Sequence, residues 1–399
     1  MAIRTLDDLD APDAAVGVRV DINSPLAEDG TLADDARLRA HVDTLAELLD
    51  GGARVAVLAH QGRPGGDEFA RLEPHADRLG DLLDREVEYC DATFSADARN
   101  AVRDLDAGEC VLLENTRFYS EEYMEFEPER AAETFLVSRL APALDAYVND
   151  AFAAAHRSQP SLVGFPEVLP AYAGRVMAEE IDVLGNIEAT PEPRTYVVGG
   201  AKVPDSVTVA EHALEHGLAD DVLVTGVVAN VFLAASGVDV GRESTQFIHD
   251  RGYETEIERA TDLLDEHGDR ITLPVDVAVE RDGERVELPT ADLPPRADEA
   301  VMDVGSDTVD RYADVLADSG TAILNGPAGV FEDGRFAAGT RDLFDAATAA
   351  DYTVVGGGDT AAAIRKFGLS GFDHVSTGGG AALRMLTGQS LPAVEALDR

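Results

Sequence analysis

The sequence predicts an α/β fold of two Rossmann-like domains, each built on a parallel sheet, joined by a hinge helix. Short runs rich in β-branched residues alternate with segments of helical period along the whole chain, which is the pattern of parallel sheets covered by helices. The chain has 399 residues, and a single hydrophobic core rarely extends beyond about 250–300 residues. Two domains are therefore expected.

The strand candidates are bounded by glycine, proline or short polar segments. In the first half they are Val16–Ile22, Arg54–Ala59, Glu86–Cys90, Cys110–Glu114 and Ala146–Asn149. In the second half they are Thr195–Gly199, Asp221–Thr225, Ala300–Gly305, Thr321–Asn325, Tyr352–Gly356 and His374–Thr377. Amphipathic stretches such as Ala33–Leu49 and Pro128–Leu140 predict intervening helices. The join between the domains is expected in a helical stretch, Ala171–Glu188, which divides the chain into residues 1–170 and 171–390.

The charge balance excludes several classes of partner. Acidic residues number 77 against 32 basic ones, a net charge of −45, and they are dispersed along the chain. Such an excess repels nucleic acid and anionic membranes. Self-repulsion of this size is screened at about 1 M salt, where the Debye length falls to about 3 Å. With lysine nearly absent, the composition resembles that of proteins from extreme halophiles.

The sequence shows neither a recognisable localisation signal nor a cysteine motif. The first residues lack the apolar core of a signal peptide, and no run of 18 apolar residues occurs, so we expect a soluble cytoplasmic protein. Cys90 and Cys110 have no metal-ligand spacing and are too few for a disulfide framework. We interpret both as free thiols.

Four strands of the first half each end in a segment that carries arginine or histidine. Arg19 begins the first such segment, which continues to Asp21 and Asn23, and Arg37 opens the next helix. The other segments contain, in chain order, His60 and Arg63, Arg117, and Arg157. Because ligands of open α/β sheets bind beyond the carboxyl ends of the strands, these residues predict a basic pocket for a small anion. The alternative for any single arginine is a surface ion pair of little consequence.

The second half carries glycine-rich turns after strands but no standard nucleotide motif. Neither lysine lies in the Gly-Lys-Ser/Thr arrangement of a P-loop, and the GxGxxG spacing is missing. A turn of three glycines, 356–358, instead opens a helix with Asp359 and Thr360 at its start, and a second such turn is 378–380. Bare amides at a helix N-terminus bind phosphate, and an aspartate beside them can hold Mg²⁺. Asp359 could instead be a simple N-cap.

Two further segments complete the predicted nucleotide site. Lys202, one of only two lysines in the chain, follows Gly199-Gly200-Ala201 after a strand, where a compact ammonium suits a crowded phosphoryl group. It could also be a residual surface cation. The glycine- and proline-rich segment that begins at Asn325 places Glu332 where it could accept a hydrogen bond from a ribose hydroxyl.

Taken together, these segments resemble the phosphoglycerate kinase family from end to end. The matching runs are Arg19–Asn23, His60–Pro64, Glu114–Phe118, Asp150–Phe152 with His156-Arg157, Gly199–Lys202, Asn325–Pro327, Gly356–Thr360 and Ser376–Gly380. The resemblance implies a monomer that transfers a phosphoryl group reversibly between 1,3-bisphosphoglycerate with MgADP and 3-phosphoglycerate with MgATP, in glycolysis and gluconeogenesis. It also implies that the tail, 391–399, packs back on the N-terminal domain.

The resemblance assigns residues to two sites. It implies acid-substrate binding by Arg19, Asp21, Asn23, Arg37, His60, Arg63, Arg117 and Arg157. It implies nucleotide binding by Lys202, Asn325, Glu332, Gly357, Gly358, Asp359 and Thr360, with Mg²⁺ at Asp359. The expected catalytic groups are Arg37 and Lys202 with the amides near Gly358 and Gly379, and turnover is expected to require hinge closure.

One departure from the family pattern concerns Ser206, which stands where the family usually has a second lysine. Lys202 alone or helix N-terminal amides would then neutralise the phosphoryl group. Two alternative functions share the fold class. A nicotinamide-dependent dehydrogenase would need the missing GxGxxG, and a two-lobed anion-binding protein would leave the glycine-rich site unexplained.

Overall fold

The chain divides into two compact units in a computed structural model that describes residues 3–27 and 29–398. The first unit contains the residues up to Asp182 and those from Gln389 onward, and the second contains Val183–Gly388. The division falls later than the boundary expected after residue 170. The reason is that residues 171–173 form a strand of the first unit's sheet.

The strands agree closely with the runs of β-branched residues. They are β1 (Ala15–Arg19), β2 (Arg54–Leu58), β3 (Val87–Cys90), β4 (Cys110–Leu113), β5 (Ala146–Asn149), β6 (Ala171–Ala173), β7 (Arg194–Val198), β8 (Asp221–Val224), β9 (Ile271–Thr272), β10 (Asp276–Arg281), β11 (Glu284–Pro289), β12 (Val301–Val304), β13 (Thr321–Asn325), β14 (Tyr352–Gly356) and β15 (His374–Val375).

The α-helices fill the intervals between these strands. They are α1 (Ala36–Ala40), α2 (Val42–Asp50), α3 (Glu73–Leu83), α4 (Ala96–Asp104), α5 (Pro128–Ala132), α6 (Phe135–Leu140), α7 (Pro160–Val163), α8 (Arg175–Gly185), α9 (Val203–Glu215), α10 (Gly226–Ala235), α11 (Arg242–Asp250), α12 (Glu254–His267), α13 (Ser306–Ala317), α14 (Ala338–Ala347), α15 (Gly358–Phe367), α16 (Gly379–Leu386) and α17 (Pro392–Leu397).

The first unit is built on a parallel sheet with the strand order β3-β4-β2-β1-β5-β6. Every residue of β1, β4 and β5 is buried, as expected where helices cover both faces of a parallel sheet. From β1 the chain proceeds to β2 on one side and returns to β5 on the other. The crevice at this reversal, beyond the carboxyl ends of β1 and β5, is where open sheets of this class bind ligands.

The second unit contains an equivalent parallel sheet, ordered β15-β14-β13-β7-β8-β9. Its strand order reverses between β7 and β13, and both of these strands are fully buried. The predicted fold class, α/β with two parallel sheets, is therefore confirmed.

One predicted strand of the second unit does not belong to its parallel sheet. The run Ala300–Gly305 forms β12, which pairs antiparallel with β10 in a separate sheet ordered β11-β10-β12. Strands β10 and β11 form a hairpin closed by Asp282 and Gly283, both with positive φ. An Asp-Gly pair between alternating residues is a strong hairpin signal, and sequence reasoning overlooked it.

The predicted helical stretches are broken more often than expected. Ala33–Leu49 becomes α1 and α2, separated at His41, and Pro128–Leu140 becomes α5 and α6. Residues 171–173 of the expected joining helix are β6, which pairs with β5, and α8 follows. The short C-terminal helix α17 belongs to the first unit, where the Ala393 amide donates to the carbonyl of Ala155 (3.2 Å). Across residues 3–27 and 29–398, no helix is long and apolar enough to cross a membrane.

Candidate active site

Five cationic or imidazole side chains of the first unit follow neighbouring strands of its sheet. We call them the basic cluster: Arg19, His60, Arg63, Arg117 and Arg157. Arg19 ends β1, and the others follow β2 and β5, which flank β1 in the sheet, and β4, which lies beyond β2. The carboxyl ends of parallel strands lie at one edge, so the fold brings these residues to the same edge of the sheet.

Arg19 forms the buried base of the basic cluster. Its side chain is fully buried, and its Nε donates to Ser161 Oγ (3.0 Å). One terminal nitrogen donates to the Val20 carbonyl and the other to His60 Nδ1 (2.9 Å). Because His60 Nδ1 accepts this hydrogen bond, the ring is held neutral and in a fixed orientation. Arg19 therefore holds His60 in place through this hydrogen bond and is itself buried beneath the surface.

The cluster is electrostatically strained because positive groups repel one another in it. Burial lowers the pKa of His60 well below its usual value, and the Arg19 charge adds to this effect. Burial also lowers the pKa of Arg117 to about 10, with further contributions from Arg157 and Arg19. The pKa of Arg157 is lowered mainly by burial as well. An anion bound among these groups would relieve the repulsion.

Arg117 and Arg63 have donors available for such an anion. One terminal nitrogen of Arg117 donates to the Gly62 carbonyl (2.8 Å), whereas its buried Nε has no hydrogen-bond partner within the described residues. Arg63 is exposed. Arg157 is half-buried, and its Nε contacts His156 Nε2 (3.2 Å). The basic cluster thus contains a buried donor without a partner, Arg117 Nε, and the accessible guanidinium of Arg63.

Asp21, Asn23 and Arg37 form a polar arm next to this cluster. Arg37 donates to Asp21 Oδ2 (2.7 Å), and Asn23 Oδ1 accepts from the Gly62 amide (2.7 Å). Burial opposes ionisation of Asp21, but the charges of Arg37 and Arg19 outweigh it and hold the pKa of this carboxyl well below its usual range. Since about half of the Arg37 side chain is exposed, it is the member of the arm that solvent reaches most freely.

Sequence reasoning missed His41, which lies behind Asp21. His41 is buried, its Nδ1 is 2.7 Å from Asp150 Oδ2, and its Nε2 lies within hydrogen-bonding distance of the Asp21 backbone. Asp150 Oδ1 also accepts from the amide of Val176, in the first turn of α8 (2.9 Å). The pair therefore connects the backbone of Asp21 to the start of α8. Histidine at a break between two helices gives no sequence signal of this role.

In the second unit, glycine-rich turns follow β7, β13, β14 and β15 at the carboxyl edge of the sheet. The Gly199 amide donates to Asn325 O (2.8 Å), and the Gly200 amide donates to Pro327 O (2.8 Å). Gly200 has φ +80°, and a Cβ on Gly326 would lie 2.2 Å from Gly199 O. Any larger residue at these positions would separate the two turns.

The two predicted phosphate-binding turns also meet. Gly357 has φ +89° and precedes α15, which begins at Gly358, and α16 begins at Gly379. A Cβ on Gly379 would lie 3.6 Å from the Gly358 amide nitrogen, whereas one on Gly358 would meet open space. Two helix N-termini with bare amides are therefore adjacent, and this arrangement suits a phosphate group.

Lys202 and Asp359 form an ion pair at this edge of the sheet. Lys202 Nζ lies 2.9 Å from Asp359 Oδ2, and both side chains are exposed. Lys202 is the N-cap residue of α9 and Asp359 lies in the first turn of α15. The structure thus brings together the cation expected at the phosphoryl group and the carboxylate expected at the metal.

Three polar side chains stabilise the glycine-rich turns by hydrogen bonds: Thr360, Asn325 and Ser206. Thr360 is fully buried, and its hydroxyl accepts from the Gly326 amide (2.8 Å). Ser206 is buried, donates to Gly199 O (2.9 Å) and accepts from Asn325 Nδ2 (3.3 Å). The side chain at position 206 therefore reinforces the glycine turn and does not supply charge.

A cavity of about 300 Å³ adjoins the ion pair and has mainly apolar walls. Glu332 and Asp359 line it, together with Gly200 and the apolar side chains Val277, Val301, Met302, Val330 and Phe331. Its size and composition are those of a small-molecule site. Within the described part of the chain, no group of three or more histidine, cysteine or acidic residues could hold a metal ion.

The second lysine, Lys366, fixes the loop that carries Glu332. Lys366 Nζ donates to the carbonyls of Phe331 (2.9 Å) and Glu332 (3.0 Å) and lies over the Phe331 ring. It belongs to the last turn of α15, the helix that begins at the glycine turn. Sequence reasoning gave Lys366 no role, although its rarity was a signal.

Comparison with known proteins gives one consistent result. The family model of phosphoglycerate kinases matches residues 6–389. The chain is 75% identical to a phosphoglycerate kinase of Halobacterium salinarum over 397 residues, covering 100% of both chains. It is 66% identical to one from Natronomonas pharaonis, covering 99% of each.

Solved structures give the same result. A crystal structure of phosphoglycerate kinase from Pyrococcus horikoshii OT3 superposes with a TM-score of 0.92 at 41% identity, covering 99% of this chain and 98% of that one. The phosphoglycerate kinase of Coxiella burnetii gives 0.82 at 32% identity, covering 100% and 99%.

Proposed function

Because the chain belongs to the phosphoglycerate kinase family, we propose that the basic cluster binds 3-phosphoglycerate and that the cavity of the second unit binds ATP or ADP. Family membership identifies the reaction as reversible phosphoryl transfer between 1,3-bisphosphoglycerate and 3-phosphoglycerate, with ADP and ATP as the other pair. It also sets aside a dehydrogenase or a solute-binding protein. What we propose is the assignment of residues to each step.

The acid site is supported by one observation above all: Arg117 and Arg157 follow two strands at the same edge of one sheet, where burial and, to a smaller extent, the neighbouring arginines lower their pKa values. Such a cluster is unfavourable until a multiply charged anion occupies it. Arg63, Arg117 and Arg157 would bind the phosphate of 3-phosphoglycerate, while Asp21 and Asn23 would bind its hydroxyl group. Arg37 would stay near the carboxylate that receives the phosphoryl group.

The nucleotide site follows from the glycine turns. The amides that open α15 and α16 would bind the phosphates, since helix N-termini stabilise negative charge. Glu332 would accept from the ribose, and the apolar cavity would hold the base. Lys202 would contact the phosphoryl group during transfer, as three ammonium donors suit a compact anion.

Mg²⁺ is the proposed metal, and the residues present fit it. Mg²⁺ keeps several waters and commonly takes one or two carboxylates plus substrate phosphates, so a single exposed carboxylate at Asp359 suffices. When bound, the ion neutralises charge on the nucleotide phosphates. An ion bound at Asp359 would compete with Lys202 for the carboxylate and weaken their ion pair, which would free the ammonium for the substrate.

The chemistry needs no general base. The attacking group of 3-phosphoglycerate is a carboxylate, already ionised at neutral pH. Rate enhancement then depends on in-line positioning and on neutralising the equatorial oxygens of a loose transition state. Arg37, Lys202 and the amides near Gly358 and Gly379 would supply that neutralisation. We propose further that turnover requires hinge closure and that the protein is a cytoplasmic monomer.

The two-site assignment is tested by titration calorimetry in molar KCl. We expect Arg157→Ala to weaken binding of 3-phosphoglycerate and to leave MgADP binding unchanged, and Glu332→Ala, which removes the acceptor, to do the opposite. Arg130→Ala, an exposed arginine paired with Glu133 away from the cluster, is the matched control and should alter neither. Loss of MgADP affinity in Arg157→Ala would contradict the assignment.

A further inference from the structure

The hydroxyl of Tyr253 forms a hydrogen bond with the backbone beside Lys202. It donates to the carbonyl oxygen of Ala201, the residue that precedes Lys202, over 3.0 Å. Tyr253 lies outside both glycine-rich turns, at the start of α12. The contact therefore joins α12 to the segment that carries the ammonium assigned to phosphoryl transfer.

Tyr253 is itself held in place by its backbone. Its amide donates to the carbonyl of Ile248 in the last turn of α11 (3.0 Å), and its carbonyl accepts from the amide of Glu256 (3.1 Å). Gly252, with φ +70°, allows the sharp turn between α11 and α12. The Tyr253 side chain is half-buried. Its hydroxyl is thus presented from a fixed corner between two helices.

A second contact holds α12 against α9, the helix that begins after the glycine turn of β7. Arg259 of α12 forms an ion pair with Glu211 and donates to Thr208 Oγ1 (3.1 Å), and both of these residues lie on α9. Tyr253 and Ala201, which precede the two helices, also touch. The helices therefore run side by side with their N-terminal ends together.

The span between the glycine turn and α9 is short and exposed. Gly200 is fixed because its amide donates to the carbonyl of Pro327 (2.8 Å), and α9 begins directly after Lys202. Ala201 and Lys202 lie between these two points, and both are exposed. The hydrogen bond from Tyr253 restricts the backbone of this span from one side.

The position of the Lys202 ammonium depends on that backbone. The side chain is 69% exposed, and in the structure its Nζ is paired with Asp359. The four-carbon stem of a lysine is flexible. When the ion pair with Asp359 weakens, the region that the ammonium can reach is set by where the lysine backbone is held.

We propose that Tyr253 is a positioning residue for Lys202. Its hydroxyl holds the Ala201 carbonyl, and with it the lysine backbone, so that the ammonium reaches the phosphoryl group during transfer. The inference rests on the proposed function, because it requires Lys202 to contact that group. Tyr253 contacts neither substrate in this account. Its removal should therefore lower kcat and leave the KM for 3-phosphoglycerate unchanged.

Tyr253→Phe removes the hydroxyl and retains the ring. We expect kcat, measured in molar KCl, to fall about three- to tenfold, the effect of one net hydrogen bond. Tyr196→Phe is the matched control, because the Tyr196 hydroxyl, on β7 of the same unit, is buried without a hydrogen-bond partner in the described part of the chain. It should retain the wild-type kcat. A wild-type kcat in Tyr253→Phe would overturn the inference.

The double variant Tyr253→Phe/Lys202→Ala shows whether the two residues act as a unit. If the hydroxyl acts through the ammonium, the double variant should have the kcat of Lys202→Ala alone. If Tyr253→Phe lowers kcat by the same factor when the ammonium is missing, Tyr253 acts independently of Lys202 and the inference is wrong. A merely structural role of Tyr253 would give that second result.

The same variants separate the inference from the proposed function. If Lys202→Ala had a kcat within a few fold of the wild type, the lysine would have no role in transfer, and both proposals would fail. If Lys202→Ala lost activity and Tyr253→Phe did not, the role of Lys202 would stand and the positioning role would be rejected. Thermal unfolding in molar KCl verifies that each variant is folded.

Discussion

Lys202 Nζ lies 2.9 Å from Asp359 Oδ2, so the two residues expected to act on phosphoryl group and metal neutralise each other in the structure. Both side chains are exposed, and such pairs contribute little to stability. The pair can therefore open at small cost when Mg-nucleotide binds. We propose that its significance is functional, because the carboxylate would hold the ammonium at the proposed site of transfer.

Asp359→Asn tests the metal assignment. We expect the Mg²⁺ concentration for half-maximal activity to rise severalfold, because the amide oxygen is a weaker ligand than a carboxylate for a hard cation. Activity is measured against Mg²⁺ at fixed ATP in molar KCl. Asp342→Asn, which removes an equally exposed carboxylate paired with Arg341, should leave the curve in place. An unchanged curve for Asp359→Asn would rule out this residue as the ligand.

Arg117→Met separates binding from stability. Because burial and neighbouring charges lower the pKa of Arg117, its positive charge is a cost in the folded state. Methionine retains the packing, so we expect an equal or higher unfolding midpoint together with at least tenfold weaker binding of 3-phosphoglycerate. Calorimetry and thermal unfolding of the same sample measure both. A variant that is destabilised and binds normally would show that Arg117 is structural.

His60 gives a pH dependence of known sign. Its folded-state pKa is lowered well below 6.5, so the unfolded chain takes up a proton first. The free energy of unfolding should fall as the pH drops below about 6.5, at up to about 1.4 kcal/mol per pH unit for one proton. His60→Asn retains an acceptor for Arg19 but does not titrate, so its slope between pH 6.5 and 5 should be smaller. Equal slopes would mean that His60 is not the responsible group.

Much of the fold could be predicted because parallel strands buried on both faces are recognisable as short β-branched runs. The exceptions are local. The hairpin at Asp282 and Gly283 was overlooked amid an otherwise βα rhythm, and Ala171–Ala173 is too short and weakly β-forming to be separated from the helix after it. The helix predicted over Ala33–Leu49 is divided at His41, whose buried side chain contacts Asp150, a tertiary contact that no local pattern reveals.

Some residues of the candidate site could be proposed from the sequence and others could not, again because tertiary contacts leave no local pattern. Residues that follow strands, such as Arg117 and Lys202, could be proposed from the sequence because topology places each near the carboxyl edge of its own sheet. Lys366 lies within helix α15, and its role depends on the loop that its side chain meets. Its position along the chain therefore contains no information on that contact.

Salt dependence follows from the net charge of −45. Self-repulsion at low ionic strength should be screened as the Debye length contracts from about 10 Å at 0.1 M to about 3 Å at 1 M. We expect the unfolding midpoint at pH 7 to rise steeply between about 0.1 and 2 M KCl. Sucrose at matched osmolality leaves charge unscreened and should give a smaller rise. A midpoint that is flat or falling in KCl would remove the argument for halophilic adaptation.

The most direct test of the account is the activity of Lys202→Ala in ATP-dependent consumption of 3-phosphoglycerate, followed in molar KCl. The ammonium is assigned to the group in transfer, so we predict kcat to fall about 10²- to 10³-fold while calorimetric affinity for 3-phosphoglycerate stays the same. A kcat within a few fold of wild type would contradict the assignment of Lys202, and with it the proposed site of phosphoryl transfer.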